Sequence, residues 1–493
     1  MEKKYILSID QGTTSSRAII FDTNFNIVSI GQKEFNQIYP KPGWVEHNPD
    51  EIWESIRVSV LEALANGKID SKEIAAIGIT NQRETSFFWE KEGLKPVYNA
   101  IVWQCRRSSD ICNRLIKQGL EDRIKKKTGL VVDPYFSSTK IIWLLKNIPE
   151  IRVLAEKGKI VFGTSDTFVL SRLTSGDIHA TDVSNASRTM LFNIRDLSWD
   201  TEILKLFKIP AAILPKVMPS AGVFGYTKGL DFLPDGIPIS GIAGDQQAAL
   251  FGQCCFDEGE AKITYGTGAF LLTNTGDKIK ASRYGLLTTI AWQIGDRVTY
   301  AIEGSVFIAG AVIQWLRDGL KIIKSSKDVE KLADSVPDSG GVVVVPAFVG
   351  LGAPHWKKEA KGLIWGITRG TSDAHIAKAS IESIALQSND IIEAMEKDMG
   401  KKIKNLKVDG GAAKNDYLLS FQATISNKKV IRPQITETTA MGAAMLSALG
   451  VGLVKDTKTL KKRFKVDKEF TPSLKSLPIK EIKYRWQEAL RRV

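Results

Sequence analysis

The chain has 493 residues, which is too many for one compact hydrophobic core and predicts two large domains. Hydrophobic residues make up 43% and charged residues 25% of it, an ordinary balance for a folded protein that argues against extensive disorder. The formal net charge is +13, but the basic residues stand in short clusters, such as 125–127, 428–429 and 461–463, without interleaved aromatic residues. We therefore predict solvated basic surface and no nucleic-acid partner.

Neither a zinc site nor a membrane segment is predicted. The four cysteines form no C-x-x-C pair and the four histidines are scattered, so we expect reduced cysteines. The first apolar stretch is interrupted by Asp10 after five residues, unlike a signal peptide. The longest uncharged runs, 340–355 and 438–454, are shorter than the roughly 20 apolar residues that cross a bilayer. We expect no transmembrane segment and a cytoplasmic location.

The start of the chain predicts strands joined by polar turns, followed by a helix. Apolar runs separated by turn residues predict three strands within residues 4–35. Asn48 is a suitable helix N-cap and Pro49 suits the first helical position. Glu51 predicts a capping box with Asn48, and Gly67 is expected to end the helix.

Two later strands run directly into polar residues. A strand over 74–79 leads to Asn81-Gln82-Arg83-Glu84-Thr85, and a strand over 237–243 leads to Gly244-Asp245-Gln246-Gln247 and a helix. Another apolar stretch, between these two, ends at Trp103. Because open α/β sheets bind ligands beyond the carboxyl ends of their strands, these polar residues predict a binding site.

The second half of the chain repeats this plan. Residues 261–265 predict a strand, Gly266-Thr267-Gly268 a turn, and residues 269–273 the next strand. Apolar residues at helical spacing over 381–395 predict a long amphipathic helix, which leads to a strand, a glycine turn and a helix near Asn415. We therefore predict an α/β fold in two lobes with a cleft between them and a boundary near residue 250.

Three turns carry the glycines and hydroxyl groups that suit phosphate. They are Asp10-Gln11-Gly12-Thr13-Thr14, Gly266-Thr267-Gly268 and Asp409-Gly410-Gly411. Backbone N–H groups freed by glycine, together with threonine hydroxyls, hydrogen-bond phosphate oxygens. Three such turns at corresponding places in two similar halves indicate a nucleotide held from both sides. The sequence has no Walker A, G-x-G-x-x-G or G-x-S-x-G motif, which disfavours P-loop NTPases, dinucleotide oxidoreductases and α/β-hydrolases.

The motifs as a set resemble the FGGY carbohydrate kinases of the actin and Hsp70 superfamily. The resemblance rests on the three turns, on Arg17 and on residues 244–247, and it extends from the first strand to at least residue 455. Longer stretches at 81–85, 103–106, 134–140 and 241–253 are similar to the branch of the family that phosphorylates glycerol. The resemblance implies two ribonuclease H-like (actin-like ATPase) domains with a central catalytic cleft, an N-terminal kinase domain over 1–250 and a C-terminal one over 251–493.

The resemblance also implies an activity: transfer of the γ-phosphoryl group of ATP to glycerol, giving sn-glycerol 3-phosphate, with ATP as co-substrate and Mg²⁺ as cofactor. By the same resemblance, the residues that contact glycerol are Arg83, Glu84, Trp103, Tyr135, Asp245, Gln246 and Phe270. Those that hold the nucleotide are Thr13, Thr14, Ser15, Arg17, Thr267, Gly310, Gln314, Gly411 and Asn415. Because family members often form dimers or tetramers, a homodimer or homotetramer is expected.

The residue types fit this chemistry. Arg83 and Glu84 offer the glycerol hydroxyls a paired donor and acceptor. The alternative, a surface ion pair, is disfavoured because the two residues follow a buried strand. Asp245 begins a helix, whose dipole favours an ionised carboxylate, and it is predicted to be the catalytic base as well as a helix cap. Asp10 is predicted to hold Mg²⁺ through water, because Mg²⁺ dehydrates reluctantly and is usually shared with substrate phosphates.

Two alternatives remain open at this stage. One is a related FGGY kinase that acts on a pentulose or another polyol. The other is an ATP-switched chaperone or filament protein of the same superfamily, which is disfavoured because nothing after residue 455 is long enough to form a separate peptide-binding domain.

Overall fold

The computed structural model describes residues 3–473 and 477–493 and has a mixed α/β fold. Its strands are β1 (Tyr5–Gln11), β2 (Ser15–Asp22), β3 (Ile27–Glu34), β4 (Glu46–His47), β5 (Ile74–Asn81), β6 (Phe87–Glu90), β7 (Ala100–Ile101), β8 (Ile160–Gly163), β9 (Ala180–Asp182), β10 (Phe192–Asn193), β11 (Ser198–Trp199), β12 (Lys216–Met218), β13 (Ala221–Tyr226), β14 (Pro238–Gly244), β15 (Ala261–Tyr265), β16 (Ala269–Gly276), β17 (Leu287–Ile294), β18 (Arg297–Val306), β19 (Val343–Val345), β20 (Leu363–Trp365), β21 (Asn405–Asp409), β22 (Lys429–Pro433) and β23 (Val466–Phe470). Its α-helices are α1 (Pro49–Gly67), α2 (Ser109–Lys117), α3 (Glu121–Thr128), α4 (Ser137–Asn147), α5 (Pro149–Glu156), α6 (Ser165–Leu173), α7 (Val183–Ala186), α8 (Thr201–Phe207), α9 (Asp245–Gly252), α10 (Gly310–Asp318), α11 (Asp328–Asp334), α12 (Asp373–Met399), α13 (Asp416–Ser426), α14 (Thr438–Gly450), α15 (Thr457–Arg463) and α16 (Ile479–Arg491).

Both halves of the chain build the same five-stranded unit. In the first half the strand order is β3-β2-β1-β5-β14, with antiparallel pairs from β3 to β1 and parallel pairs from β1 to β14. In the second half the order β18-β16-β15-β21-β22 repeats this arrangement, first antiparallel and then parallel. The predicted internal repeat and the two ribonuclease H-like units are confirmed.

The two units are interlocked. One sheet runs through both, because β13 and β17 pair at Ala221 and Ile294. Helix α14 comes from the second half but packs on strands of the first, where Ser8 Oγ donates a hydrogen bond to the carbonyl of Ala440 at 2.8 Å. Helix α9 comes from the first half and packs on β15 and β16 of the second. Residues of both halves therefore meet at the edge where the parallel strands end.

Two glycines bring α9 and α14 into backbone contact. A Cβ built on Gly442 would lie 1.8 Å from the carbonyl oxygen of Ala248, and one on Gly252 would lie 2.0 Å from that of Thr438. Real Cβ atoms do not approach a backbone so closely, so these positions require glycine in a close-packed interior. The contact sets the spacing of the two central helices.

The start of α1 follows the prediction except for one side chain. The Asn48 side chain caps the helix by accepting a hydrogen bond from Asp50 N at 2.9 Å, and Pro49 is the first helical residue. The predicted capping box is wrong, because the Glu51 carboxylate accepts a hydrogen bond from Asn36 N at 3.0 Å. The chain after β3 passes the helix start, so a tertiary donor replaces the local one.

Helix α12 is present, but the prediction that it is amphipathic is wrong. Most of its side chains are buried, including those of Lys378, Glu382 and Asn389. The reason is that α10, α11, α13 and the neighbouring strands surround it. Its buried polar groups find nearby partners, as when Lys378 Nζ donates to the carbonyl of Val336 at 2.8 Å.

The prediction that the basic clusters are solvated is wrong at one residue. Lys428 is an exception to the predicted solvated basic clusters, because its side chain is buried and its Nζ pairs with Glu396. The four cysteines are buried and none forms a disulfide. Within the described ranges, no helix is both long enough and apolar enough to span a membrane.

Gly442→Ala should lower the free energy of unfolding by about 2–3 kcal/mol, because the added methyl group forces α9 and α14 apart. Chemical denaturation measures the loss. The control is Gly370→Ala, since Gly370 is exposed and an added Cβ there meets only Thr368 Oγ1 at 3.9 Å. Equal stability of the two variants would contradict the close contact.

Candidate active site

The predicted site residues from three strands of the first unit gather at one edge of the sheet. Asp10 lies at the end of β1, Arg83 follows β5 and Asp245 follows β14. The strands are in register there, with Asp10 opposite Thr80 and Thr80 opposite Ala243. The carboxyl ends of these parallel strands therefore bring together residues that are far apart in the sequence.

Arg83 lies at the centre of the site, and its side chain is only 2% exposed. Its Nε lies 3.0 Å from Asp245 Oδ1, and its Nη1 lies 2.5 Å from Glu303 Oε2. Its Nη2 donates to the Tyr135 hydroxyl at 3.4 Å. Glu84 is farther away, with 3.9 Å between its Oε1 and the Nε of Arg83. The interpretation of Arg83 and Glu84 as a surface ion pair is wrong, because both side chains are buried.

Glu84 is held through both its backbone and its carboxylate. Its φ is +60°, in the left-handed region, where a non-glycine residue is strained and marks a candidate functional position. Its carbonyl accepts a hydrogen bond from Ser137 Oγ at 3.0 Å. Its Oε1 accepts one from Arg188 Nε at 2.7 Å. Burial raises the pKa of Glu84, and the guanidiniums of Arg83 and Arg188 oppose that rise.

Two aromatic residues of the predicted acceptor site touch each other. The Trp103 and Tyr135 rings meet edge to face, with centroids 5.4 Å apart. Trp103 Nε1 donates to Thr13 Oγ1 at 3.1 Å, so a predicted acceptor residue contacts a predicted nucleotide residue. Burial raises the pKa of the Tyr135 hydroxyl, which keeps it protonated. Phe270, the second residue of β16, is partly buried and lies opposite Thr264 of β15.

Gln246 is held by a buried lysine that the sequence analysis did not single out. Lys262 Nζ donates to Gln246 Oε1 and to Thr264 Oγ1, the latter at 2.8 Å. The contact with Lys262 fixes the orientation of the side-chain amide of Gln246. Burial lowers the pKa of Lys262 to about 8, and the nearby Asp409 and Asp245 carboxylates oppose that fall.

The first predicted phosphate turn connects β1 and β2. A hydrogen bond from Gly12 N to Ser15 O, 3.0 Å long, closes it. Thr13 and Thr14 form its tip, and Thr14 is exposed. The Ser15 hydroxyl instead accepts a hydrogen bond from Gln32 Nε2 at 3.2 Å. The tip of this turn is therefore its most exposed part.

The second turn connects β15 and β16 and packs against the start of α10. Gly310 N donates to the carbonyl of Gly266 at 2.9 Å, and Ala309 N donates to that of Thr267 at 2.8 Å. A Cβ on Gly310 would lie 2.6 Å from the oxygen of Gly266, so this contact requires glycine. Thr267 and Gly310, both predicted to hold the nucleotide, are thus adjacent. Gln314 lies one helical turn farther along α10 and is exposed.

The third turn follows β21 and lies against the end of β15. Gly410 has a φ of +87°, and a Cβ there would lie 2.5 Å from the carbonyl oxygen of Tyr265. Gly411 is open, with no atom within 4 Å of an added Cβ. Asn415 caps α13, its side chain accepting a hydrogen bond from Leu418 N at 2.7 Å. The cap uses the carbonyl oxygen of that side chain and leaves its NH₂ group for other contacts.

The start of α14 links the first turn to the third. Arg17 Nη1 pairs with Glu437 Oε2 at 2.8 Å, across the two halves. The next residue, Thr438, donates through Oγ1 to Asp409 Oδ2 at 2.6 Å. The three turns therefore surround one region, although the Arg17 guanidinium, predicted to meet phosphate charge, is partly engaged by Glu437.

Asp10 faces an excess of negative charge. Burial raises the pKa of its carboxyl to about 7; Arg17 lowers that pKa, while Asp245 and Glu437 raise it further. Over the part of the chain that the structure describes, no group of three or more His, Cys, Asp or Glu side chains is placed to hold a metal ion. A Mg²⁺ ion shared with phosphates fits this place, because it needs only one or two carboxylates and completes its shell with water and phosphate oxygens.

Sequence reasoning missed four charged residues of this site: Arg188, Lys262, Glu303 and Glu437. Glu303 and Lys262 interrupt otherwise apolar strands, and a charge in the middle of a buried strand is a usable signal. Arg188 and Glu437 carry no such local signal, because they lie in polar segments and their partners are far away in the sequence.

The whole chain is similar to proteins of known family. Residues 5–252 match the N-terminal domain, and residues 261–451 the C-terminal domain, of the FGGY family of carbohydrate kinases. A glycerol kinase of Carboxydothermus hydrogenoformans is 56% identical over 492 residues, covering 100% of this chain and 98% of that protein. Glycerol kinase 2 of Thermotoga maritima is also 56% identical, covering 99% of this chain and 98% of its own.

Two solved structures also match nearly the whole chain. A crystal structure of Plasmodium falciparum glycerol kinase with ADP is 38% identical, with a TM-score of 0.93 and coverage of 100% of this chain and 98% of that one. A ligand-bound xylulose kinase of Lactobacillus acidophilus, 24% identical with a TM-score of 0.89, covers 99% of this chain and 97% of its own and shares the fold. The two matched domains, the shared fold and the full-length identity lead to one conclusion: the chain belongs to the FGGY family of carbohydrate kinases.

Proposed function

We propose that this chain transfers the γ-phosphoryl group of ATP to glycerol, giving sn-glycerol 3-phosphate and ADP. The observation that carries the proposal is the position of Arg83, whose buried side chain contacts both Asp245 and Tyr135. Full-length relatives 54–56% identical to the chain bear the name glycerol kinase, which supports the same acceptor. This reaction begins the catabolism of glycerol taken up by a cell.

The acceptor is recognised by buried polar groups. Glycerol offers three hydroxyls and little apolar surface, so a site of buried donors and acceptors rejects compounds that leave those groups unpaired. Arg83 donates through Nη2, where glycerol replaces the long 3.4 Å contact with the Tyr135 hydroxyl. Glu84 accepts, and the Nε2 of Gln246 donates. We assign Trp103 and Phe270 to contacts with the carbon backbone of glycerol.

Asp245 is assigned as the catalytic base, and it contacts glycerol in that role. It is the first residue of α9 and not its N-cap, which is Gly244, so the capping role is wrong; its Oδ1 accepts a hydrogen bond from the adjacent Gln246 N at 2.7 Å. The Nε of Arg83 lies 3.0 Å from the same Oδ1. In a loose phosphoryl-transfer transition state the hydroxyl proton leaves late, so positioning of the acceptor oxygen contributes more than base strength.

The nucleotide is assigned to the three turns. Thr13 and Thr14 at the tip of the first turn and Thr267 in the second are placed to donate to phosphate oxygens, with Ser15 and Arg17 beside them. The adenosine part is assigned to the open surface of Gly310, Gln314, Gly411 and Asn415. We further infer that phosphate competes with Glu437 for the Arg17 guanidinium, because a side chain 36% exposed can change partners at little cost.

Asp10 would hold Mg²⁺, through water, with Asp245 nearby. When bound, the ion neutralises charge that develops on the β- and γ-phosphates. We also propose that the division between the two domains falls near residue 250, which lies close to the gap between the two matched family domains. A cytoplasmic location and a homodimer or homotetramer complete the proposal; the free cysteines are compatible with that location.

A coupled assay with Mg-ATP tests the acceptor. Glycerol, dihydroxyacetone, xylulose and gluconate are compared by kcat/KM, and a dehydrogenase specific for sn-glycerol 3-phosphate identifies the product. We expect glycerol to give the highest kcat/KM. A higher value for xylulose or another acceptor would make this a different FGGY kinase, and ATP turnover that is independent of any acceptor would favour a chaperone-like or filament protein.

Asp245→Asn should lower turnover by about 10²- to 10⁴-fold, because the amide cannot accept the glycerol proton. Nucleotide affinity, measured by calorimetry, should stay close to that of the wild type. Near-normal turnover would remove Asp245 from its assigned role.

Arg83→Ala should raise the KM for glycerol far more than the KM for ATP, because it removes an acceptor contact and not a nucleotide contact. Steady-state kinetics with each substrate varied in turn measure the two effects. Arg57→Ala is the control, since Arg57 forms an exposed pair with Asp231 at 2.7 Å. An equal rise in both KM values would contradict the assignment.

Lys262→Met should lower turnover by about tenfold or more, because Gln246 loses its partner and two carboxylates lose a buried positive charge. Lys407→Met is the matched control. Lys407 is the register neighbour of Lys262 and is also buried, but its Nζ donates to backbone carbonyls, with that of Gln253 at 2.7 Å. Both variants should be less stable to heat, and only the first should lose activity out of proportion to its stability.

A further inference from the structure

Glu303 is a buried carboxylate outside the sets assigned to acceptor and nucleotide. It lies within β18, its side chain is 1% exposed, and Ile302 and Gly304 flank it. An unpaired charge in such a place would be very costly. Burial alone would raise its pKa, but the guanidiniums of Arg188 and Arg83 hold the pKa of Glu303 at about 2. The carboxylate is therefore ionised across the physiological range.

The two oxygens of Glu303 are shared between two arginines. Oε2 accepts from Arg83 Nη1 at 2.5 Å, and Oε1 accepts from Arg83 Nη2 at 3.1 Å. This two-point contact sets the plane of the Arg83 guanidinium, which a single contact would not do. Oε1 also accepts from Arg188 Nη2 at 2.9 Å.

Arg188 links Glu303 to Glu84, the second residue of the predicted acceptor pair. Its side chain is fully buried, and its Nε donates to Glu84 Oε1 at 2.7 Å. One oxygen of Glu84 is therefore committed to Arg188, which leaves Oε2 to accept a hydrogen bond from a ligand. The donor and the acceptor of the predicted pair are thus oriented by one carboxylate, Arg83 directly and Glu84 through Arg188.

The four residues come from both halves of the chain. Arg83, Glu84 and Arg188 lie in the part that matches the N-terminal family domain, and Glu303 lies in the part that matches the C-terminal one. Any change in how the two units sit together therefore moves the group that orients the acceptor residues. The charges of the network balance, with two guanidiniums and two carboxylates.

We propose that Glu303 is a positioning residue that orients both Arg83 and Glu84 for the acceptor. The affinity for the acceptor then depends on how the two units pack against each other. This proposal rests on the function proposed above. It assigns Glu303 no contact with glycerol or with ATP.

The first test is Glu303→Gln, which keeps the shape but removes the charge. We expect the KM for glycerol to rise by about 10- to 100-fold, as for loss of a buried charged partner, while the KM for ATP stays within about twofold. Glu303→Asp keeps the charge on a shorter side chain and should recover a large part of the glycerol affinity. A purely structural role would instead lower stability and leave both KM values unchanged in the folded fraction.

The control is Glu396→Gln. Glu396 is also a buried carboxylate of the second half, and it pairs with the buried Lys428 away from the site. It should lose stability without a change in the KM for glycerol.

Arg188→Met provides a second route if Glu303→Gln does not fold. It should raise the KM for glycerol alone, and the double variant with Glu303→Asp should show less than the product of the two single effects, because both act through Glu84. Equal rises in the KM for glycerol and for ATP, or multiplicative effects in the double variant, would overturn the proposal.

The wild-type acceptor comparison keeps the two proposals separate. If another polyol exceeds glycerol there, the proposed function fails, and the variants are then compared on that polyol. A selective rise in its KM would still support the role of Glu303. If glycerol is preferred and Glu303→Gln leaves its KM unchanged, only the role of Glu303 is refuted.

Discussion

Four buried side chains of opposite charge are the constraint on which the candidate site depends. The guanidiniums of Arg83 and Arg188 lie between the carboxylates of Glu84 and Glu303, and all four side chains are at most 2% exposed. Loss of one partner from such a group costs about 3–5 kcal/mol, because the opposite charge stays buried without compensation. The network therefore admits few arrangements of these four side chains, which include the two residues proposed to bind the acceptor.

Helix α9 is joined to this network through its first residue, Asp245, which contacts Arg83. Its spacing from α14 is set by glycines, and two buried lysines stand beneath its ends. Lys407 donates to the carbonyls of Gln253 and Cys254 just beyond its C-terminal end, where the helix dipole favours a cation. Lys262 lies at the N-terminal end of α9, where the helix dipole disfavours a cation. Its position there is explained by the contact with Gln246 and by the nearby Asp409 and Asp245 carboxylates.

Local patterns account for what could be predicted. Strands, the Asn48 cap and the three turns depend on neighbours in sequence, and these predictions are confirmed. The capping box of Glu51 and the amphipathic nature of α12 are wrong, because distant segments supplied a donor in one case and covered an exposed face in the other. Arg188 and Glu437 were missed for the same reason, since each is defined by a partner 104 or more residues away.

The two repeated α/β units, the three glycine turns and the residues expected to bind an acceptor could be predicted from the sequence, because short motifs encode backbone geometry and side-chain chemistry directly. The orientation of those groups depends on tertiary contacts. Glu303 reaches Arg83 across 220 residues, and Lys262 reaches Gln246 from the other half of the chain. A strand pattern shows that such a charge is buried but not which charge it meets, because that depends on how the two units pack.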